Sequence, residues 1–511
     1  MAKKKSMAKK DITSMRSALE YLIGEGDVYV VKAQVDPILE IAGIEKTFDG
    51  GPVLLFENLK GYPNARDVGN VFGNEKIYTK LFDVANDKEL TQKCHKGILN
   101  PVPPKIVEKA PVQEVVYTKD IDVFKILPIL LHTPEDAGRI LGGENILISG
   151  KWFDNGHEIS FKRTHFQGPD WGTLMAGDHT HIGKIIHKFR GEKIPVTLNL
   201  NTPPAVAMAA AAGYVAAVTP PGTDELGFAG GLQGSPVEIV HAKTVDAWAV
   251  AQAEWVIEGY LHAGTNIWES KKAEEAGKWD HAVYFPEYTG YLGGAVKTTK
   301  FEVTGITHRK DRPIFYSTLA HSLEGINLLR HFRAASYLEF CRRITPEGLV
   351  TDINILQGQK ALLGITIQVN KTRKRHEGYQ KNLLETILTI PDGPQVGIVV
   401  DEDINIYSAE DVIWALTTRV NPATGIFTVS GDRHRQGNPM EELVAYSGSQ
   451  GCIGIDATVP FDLPLKSSFR QGKFPIDEVR PKLTTWFTKE QIAKAKAMMP
   501  EYGHVLANRG S

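Results

Sequence analysis

Three segments between residues 158 and 231 carry side chains whose types and spacing suit chemistry. They read EISFKRTHF (158–166), DHTHIGKIIHKF (178–189) and PPGTDELGFAGG (220–231). Because successive side chains of a strand alternate between its faces, Glu158 and Arg163 point to opposite sides of the first segment unless a bulge intervenes. We interpret the three segments as a site for a metal ion and a cofactor phosphate, with a carboxylate-binding arginine beside it.

The second segment predicts a helix that Asp178 or Thr180 can cap, with His181 in its first turn. A helix N-terminus disfavours the imidazolium form, so we expect a neutral His181 whose ring nitrogen can coordinate a cation. The neighbouring His179 and the later His187 have no comparable argument, and we take both as structural.

Two glutamates lie in predicted turns or loops. Glu225 follows a Thr-Pro-Pro-Gly turn and precedes a glycine-rich run. Glycines let the backbone approach a ligand closely, and carboxylates suit hard cations such as Mg²⁺ or Mn²⁺. Glu287 lies in the aromatic, glycine-bearing loop YFPEYTGYLGG (284–294), where partial burial would favour use as a general acid.

The surrounding elements predict an α/β (α+β) protein of three lobes. Alternating strands and helices predict an N-terminal α/β domain at 1–112, which ends in a proline-rich linker. The many short strands that follow predict a barrel domain at 113–322. A long amphipathic helix at 323–345 leads to a second α/β domain at 346–511.

Local signals add finer expectations. The first helix should end at Gly24, the second should begin at Asp36-Pro37, and AVAMAAAAGYVAAV (205–218) should form a buried helix and strand. Ser408 should cap a helix in the last lobe, and Thr488 with Gln491 should form a capping box.

Composition excludes several classes of function. The 511 residues are 42% hydrophobic with a formal net charge of −2, so no global field recruits nucleic acid or an anionic membrane. No run approaches the roughly 18 apolar residues that span a bilayer. The three cysteines form no CxxC pair, which argues against a disulfide framework. We expect a cytoplasmic protein whose lysine-rich first ten residues form a solvated tail.

Taken together, the segments resemble the UbiD family of decarboxylases. The likeness runs through GPVLLFENLKGYP (51–63), HTPEDAG (132–138), the 158–231 core, FPEYTGY (285–291) and VVDEDINIYSAEDVIWALTTRVNP (399–422), and so covers most of the chain. Members use prenylated FMN to remove CO2 from aromatic and α,β-unsaturated acids. The resemblance implies a central split β-barrel that binds the flavin and a C-terminal lobe that builds a homodimer or homohexamer.

The resemblance also implies roles for individual residues. Arg163 would orient the substrate carboxylate, and Glu287 would donate the proton that replaces CO2. Glu158, His181 and Glu225 would hold a divalent metal, Mn²⁺ or Mg²⁺, at the cofactor phosphate, with K⁺ bound nearby. The cofactor-binding set would comprise Ser160, Phe161, Lys162, Arg163, Thr180, His181 and Glu225.

The same likeness indicates the partners. A flavin prenyltransferase would supply the cofactor, and the substrate would be a small aromatic acid, hydroxylated, polycyclic or heteroaromatic, that decarboxylates reversibly. One departure concerns the position five residues before Glu287, where many relatives carry a second glutamate and this chain has Ala282. We therefore include the adjacent His281 among the candidate catalytic residues.

Other interpretations stay open at this point. His179 and His181 form an HxH pair, as in a metal-dependent hydrolase, although the further ligands of such a site are missing. Asp401, Glu402 and Asp403 could bind Mg²⁺, but the chain has no phosphate-cradling GxxxxGK[ST] loop. A non-catalytic flavin-binding protein is the third alternative.

Overall fold

A computed structural model gives the fold for residues 10–276, 283–316, 318–391, 393–432, 450–462, 467–469 and 482–498. The chain forms two compact units, one through Tyr337 and one from Leu338 onward, which divide within a single long helix. Among the helices described, none combines the length and apolar composition that a bilayer crossing requires.

The first unit is mixed α/β. Its helices are α1 Met15–Glu25, α2 Glu40–Thr47, α3 Glu75–Leu81, α4 Asp87–Leu99, α5 Val123–Ile126, α6 His181–Lys188, α7 Pro204–Ala211, α8 Glu225–Gln233, α9 Lys271–Ala276 and the first part of α10 Leu323–Ile344. Its strands are β1 Val28–Val31, β2 Val53–Phe56, β3 Arg66–Gly69, β4 Lys105–Ile106, β5 Val115–Tyr117, β6 Ile140–Ser149, β7 His157–Phe166, β8 Trp171–Leu174, β9 Lys193–Leu200, β10 Glu238–His241, β11 Trp248–Val250, β12 Trp255–Trp268, β13 Val283–Pro286, β14 Leu292–Gly294, β15 Lys297–His308 and β16 Ile314–Tyr316.

The predicted barrel is confirmed. Six strands in the order β12-β9-β6-β7-β8-β15 close on themselves through the antiparallel pairing of β12 with β15. Aliphatic and aromatic side chains of these strands, such as Ile146, Leu198 and Phe301, fill a core with none of their surface exposed. The barrel is split beside β7, which pairs with β6 over most of its length but with β8 only over Thr164–Phe166.

The N-terminal sheet has the order β1-β2-β3-β16. Its last strand, Ile314–Tyr316, comes from the chain beyond the barrel and runs parallel to β3. A separate small sheet pairs β4, from the proline-rich linker, with β10 and β11. The linker therefore contributes a strand of its own.

Three local expectations were wrong. Helix α1 continues through Gly24 and ends at Gly26, whose φ of 84° is the left-handed conformation that glycine adopts readily. The Asp36 carboxylate accepts a hydrogen bond from the backbone N of Ile38, and this turn delays α2 until Glu40. The alanine-rich segment forms α7, but turns and not a strand follow it.

The second unit is an α/β sheet. After the last part of α10 its elements are β17 Val350–Asn354, β18 Gly364–Val369, α11 Tyr379–Thr389, β19 Val396–Asp401, α12 Ala409–Arg419, β20 Ile426–Asp432, β21 Gln450–Ala457 and α13 Lys489–Met498. The strand order is β17-β18-β19-β21-β20, with β18, β19 and β21 parallel. Both predicted caps are present, because Ser408 accepts from Asp411 N and Thr488 exchanges hydrogen bonds with Gln491.

A buried carboxylate ties α1 to the barrel. Glu254 is fully buried and accepts two hydrogen bonds from Arg16, at 3.0 and 2.7 Å, and one from the backbone N of Ile314, at 3.0 Å. We expect Glu254→Ala to destabilise the first unit by about 3–5 kcal/mol, because it leaves Arg16 without its carboxylate. Calorimetric unfolding should show the shift. Glu238→Ala, which removes a half-exposed partner of Lys105, is the control and should cost under about 1 kcal/mol. Equal shifts would contradict the assigned importance of burial.

Candidate functional site

Three candidate ligands come together beside the split in the barrel. Glu158 lies at the start of β7, and His181 and Glu225 are the first residues of α6 and α8. One ligating atom from each lies within 4.8 Å of the others, and His181 Nδ1 is 3.2 Å from Glu225 Oε1. Among the described residues, no other group of three or more His, Cys, Asp or Glu side chains brings its ligating atoms this close together.

Two helix caps and a close backbone contact place these residues. The Thr180 hydroxyl accepts from Gly183 N and begins α6, and the Asp224 carboxylate accepts from Gly227 N and begins α8. A Cβ at Gly156 would lie 2.5 Å from the Gly222 backbone, so only glycine lets the β6–β7 turn pack against the Pro-Pro-Gly turn. Glu225 then accepts a hydrogen bond from Ile159 N at the free edge of β7.

The charges of this cluster call for a cation. Burial raises the pKa of the Glu158 carboxyl above its ordinary value, and the negative charge of Glu225 is the second-largest cause of that rise. Burial acts to lower the pKa of His181, but the hydrogen bond and charge of Glu225 and the charge of Glu158 raise it above its ordinary value. The two carboxylates therefore act against the helix dipole, and the neutral His181 that metal binding requires stays a prediction. Glu158 Oε2 is buried without a hydrogen-bond partner, so a divalent cation fits the donor set.

A second cluster surrounds Arg163. Its Nε and Nη2 donate to the two oxygens of Glu269 at 3.0 and 2.9 Å, and its Nη1 donates to Glu287 Oε1 at 2.5 Å. The Glu269 side chain is 1% exposed and also accepts from Val296 N, whereas Glu287 is 19% exposed. Arg163 thus binds the buried carboxylate of Glu269, which other hydrogen bonds hold in place, and the partly exposed carboxylate of Glu287.

Sequence reasoning missed Glu269. The position five residues before Glu287, where many relatives carry a second glutamate, is Ala282 in this chain. The structure instead brings Glu269, which directly follows β12, to Arg163 from 106 residues farther along the chain. The only local signal is the Trp-Glu-Ser sequence where a strand ends and Ser270 caps α9, and such a signal is common at strand ends.

The remaining predicted site residues are distributed along the same edge. The Ser160 hydroxyl donates to Glu158 Oε1 at 2.8 Å, so these two residues share a face of β7, as strand alternation requires. The register shift in the β6–β7 ladder lies between Leu141 and Glu144, so β7 itself carries no extra residue. Phe161 and Lys162 are half-buried. His281 and Ala282 lie outside the described residues.

A small cavity is lined in part by Pro286, the residue before Glu287. It has a volume of about 150 Å³ and lies within the first unit. Its lining combines apolar and polar side chains, from Ala42, Lys46, His132, Thr133, Pro286, Leu319, Ala320 and His321. The cavity therefore offers room for about one small ring.

The structure also places the residues of the two alternative metal sites, the His179–His181 pair and the acids at 401–403. His179 is not part of the ligand cluster found among the described residues. Asp401 and Asp403 both bind Arg419 at the end of α12, with contacts of 3.2, 2.8 and 2.6 Å. These acids line a crevice of about 520 Å³ at the carboxyl ends of β18 and β19. Because the guanidinium already binds both carboxylates, we assign them the role of holding the helix in place.

Comparison with known proteins identifies relatives that match most of the chain. Three domains of 3-octaprenyl-4-hydroxybenzoate carboxy-lyase match in order: the N-terminal domain over residues 19–94, the Rift-related domain over 105–322 and the C-terminal domain over 327–457. Gallate decarboxylase of Lactiplantibacillus plantarum is 28% identical over 86% of this chain and 92% of its own. Phenolic acid decarboxylase of Sedimentibacter hydroxybenzoicus is 27% identical over 87% and 91%.

Solved structures agree. The UbiD-class enzyme HmfF from Pelotomaculum thermopropionicum, in complex with FMN, is 29% identical, with a TM-score of 0.79 over 93% of this chain and 100% of its own. An evolved dimeric form of HmfF, in complex with prenylated FMN, has a TM-score of 0.75. Since all three domains match in order and the fold agrees along nearly the whole length, the chain belongs to the UbiD family of carboxy-lyases.

Proposed function

We propose that this enzyme decarboxylates an aromatic acid with prenylated FMN bound along the open edge of β7. The observation that carries the proposal is Arg163, held between Glu269 and Glu287 beside the cluster of Glu158, His181 and Glu225. A fixed guanidinium binds a carboxylate, and an adjacent acid can supply a proton. The names of the relatives, which act on gallate and phenolic acids, support the aromatic substrate.

The three ligands would hold Mn²⁺ or Mg²⁺ against the cofactor phosphate. Their oxygen and imidazole donors suit either ion. Ser160, Lys162 and Thr180 border this cluster and would contact the cofactor beside it, together with Phe161 on the same strand. We further propose K⁺ nearby, bound mainly by backbone oxygens. The FMN and prenylated FMN in HmfF support the choice of cofactor.

The Arg163 cluster suggests how the residues divide the work. When bound, prenylated FMN would supply the electron-accepting ring that stabilises the electron pair left on the substrate carbon. Glu269 keeps two guanidinium nitrogens in place, so the substrate carboxylate would compete with Glu287 for Nη1. Glu287, released by that exchange, would take up a proton from solvent through its exposed side and give that proton to the carbon from which CO2 has left. The reverse sequence of proton removal and CO2 addition is carboxylation.

The relatives favour a one-ring substrate, because gallate and simple phenolic acids have a single aromatic ring. The cavity of about 150 Å³ that Pro286 lines could take part of such a substrate. His132, His321 and Lys46 line its wall and could accept or donate hydrogen bonds to a ring hydroxyl or ring heteroatom. We also propose that a flavin prenyltransferase supplies the cofactor and that the residues from 346 onward build a homodimer or homohexamer.

Removing a metal ligand should empty the cofactor site. We expect His181→Ala to lower both Mn²⁺ and flavin content roughly 10–100-fold in protein produced with a flavin prenyltransferase, because a direct ligand matters at least as much as an outer partner. Metal analysis and flavin absorbance measure the two contents. His187→Ala changes an exposed histidine on the same helix and should leave both as in the wild type. Full metal and flavin content in His181→Ala would refute the ligand assignment.

Changes at Arg163 and Glu287 should separate binding from chemistry. Arg163→Ala and Glu287→Gln should retain the cofactor, yet each should lower kcat/KM by on the order of 10²–10⁴-fold, since one removes the carboxylate anchor and the other the proton. CO2 release from a panel of one-ring and two-ring aromatic acids is the assay. Normal turnover by Glu287→Gln would exclude it as the donor. A holo-protein inactive on every acid would favour the non-catalytic flavin-binding alternative.

Glu269 should act through Arg163. Glu269→Gln keeps the shape of the side chain but removes the charge that fixes the guanidinium, so we expect kcat/KM to fall roughly 10–100-fold with unchanged flavin content. A positioning role predicts a higher KM and a higher inhibition constant for a non-reacting aromatic acid. If Glu269→Gln loses stability and flavin instead, the residue is structural.

A further inference from the structure

A second buried acid on the barrel has no role in the scheme above. Glu144 lies in β6 and is 1% exposed. Neither of its carboxyl oxygens makes a well-formed hydrogen bond within the part of the chain that the structure describes, although the Thr164 hydroxyl lies close enough to act on its pKa. Buried polar atoms in native proteins are almost always hydrogen-bonded, so two orphaned oxygens on one side chain indicate a missing partner.

The strand register places Glu144 in line with the metal cluster. Three cross-strand pairs follow one another along β6 and β7: Ile148 with Glu158, Ile146 with Ser160, and Glu144 with Lys162. Directly opposed residues share a face, and every second residue returns to that face. Glu144 therefore lies on the face of Glu158, two pairs farther along, which corresponds to about 13 Å.

That separation matches the shape of a flavin nucleotide. If the cluster at Glu158 holds the phosphate, the ribityl chain carries the ring system a comparable distance along this face of the strand, toward Lys162. Glu144 lies opposite Lys162 at this level of the strand. The ring, and not the phosphate, is then the part of the cofactor that Glu144 can meet.

The chemical state of Glu144 suits such a contact. Burial raises the pKa of its carboxyl well above the ordinary value, although the Thr164 hydroxyl and the charge of Lys162 act in the opposite direction. A protonated carboxyl has one O–H donor and one carbonyl acceptor side by side. The pyrimidine edge of a flavin offers the complementary pair, an adjacent carbonyl oxygen and N–H.

The surroundings form a polar patch that extends beyond this one side chain. The hydroxyls of Thr164 on β7 and of Thr318 are also buried and make no well-formed hydrogen bond among the described residues, although Thr164 lies near Glu144 and Thr318 near Tyr316. A Cβ at Gly143 would lie 2.6 Å from the Thr318 hydroxyl oxygen, so the glycine beside Glu144 lets this segment approach closely. Several unsatisfied polar atoms at one place favour a polar ligand over a packing defect.

We propose that Glu144 binds the flavin ring, as a neutral carboxyl that donates to and accepts from its pyrimidine edge. The proposal rests on the proposed function, because it requires the phosphate at the cluster of Glu158. It assigns to Glu144 a part in holding the ring and no part in proton transfer to the substrate.

The test is FMN binding by the full-length apo-protein in the presence of Mn²⁺, followed by quenching of flavin fluorescence and by the visible spectrum. Glu144→Leu removes both hydrogen bonds, so the Kd for FMN should rise roughly 10–100-fold and the flavin bands should shift. Glu144→Gln keeps one donor and one acceptor and should stay within about threefold of the wild type.

Two controls separate binding from folding. The Glu144→Leu apo-protein should unfold at the same or a higher temperature than the wild type, because it no longer buries an unpaired carboxyl. Thr307→Val removes another buried, unpartnered hydroxyl from β15 and should leave the Kd unchanged.

Each outcome decides the question. Wild-type affinity and spectrum in Glu144→Leu would overturn the assignment while leaving the proposed function intact. Equal losses in Glu144→Leu and Glu144→Gln would overturn the hydrogen-bonding role. If the wild-type protein with Mn²⁺ binds no FMN, the proposed function fails and this assignment fails with it.

Discussion

The free edge of β7 is the constraint on which the site depends. A strand edge exposes backbone N–H and C=O groups that must find partners. Here β8 pairs only with the last three residues of β7, and the Glu225 carboxylate takes the backbone N of Ile159. The start of α8 thus closes part of the edge with a side chain. The other strand pairs close the barrel and hold β7 in place, and the unpaired part of the β7 edge leaves room for a ligand.

Two charge clusters lie along this edge, and each carries more negative than positive charge. Glu158 and Glu225 face one histidine, and Glu269 and Glu287 face one arginine. A buried surplus of negative charge is unfavourable unless a cation or a proton relieves it. The first cluster has three converging ligands and suits a metal ion. The second contains one accessible carboxylate and suits a proton.

Local rules in the sequence predicted much of this arrangement. Thr180 as a cap, His181 in the first turn and the shared face of Glu158 and Ser160 follow from spacing along one element. Glu269 and Glu144 could not be found in this way, because their meaning depends on strand order and register. The charges of Glu158 and Glu225, which raise the pKa of His181 against the dipole of its own helix, could not be found from local spacing for the same reason. The fourfold division of the chain, and its location in the cell, stay predictions.

The N-terminal sheet has a consequence for synthesis. Its strands β1, β2 and β3 are complete by residue 69, but the edge of β3 is covered only by β16 at residues 314–316. A ribosome must therefore add well over two hundred residues, including the entire barrel, before this early sheet gains its last strand. During that interval β3 is an open edge on a nascent chain, the situation in which strands pair wrongly. The N-terminal sheet is therefore the first to be synthesised, but it is completed only after the barrel strands have been made.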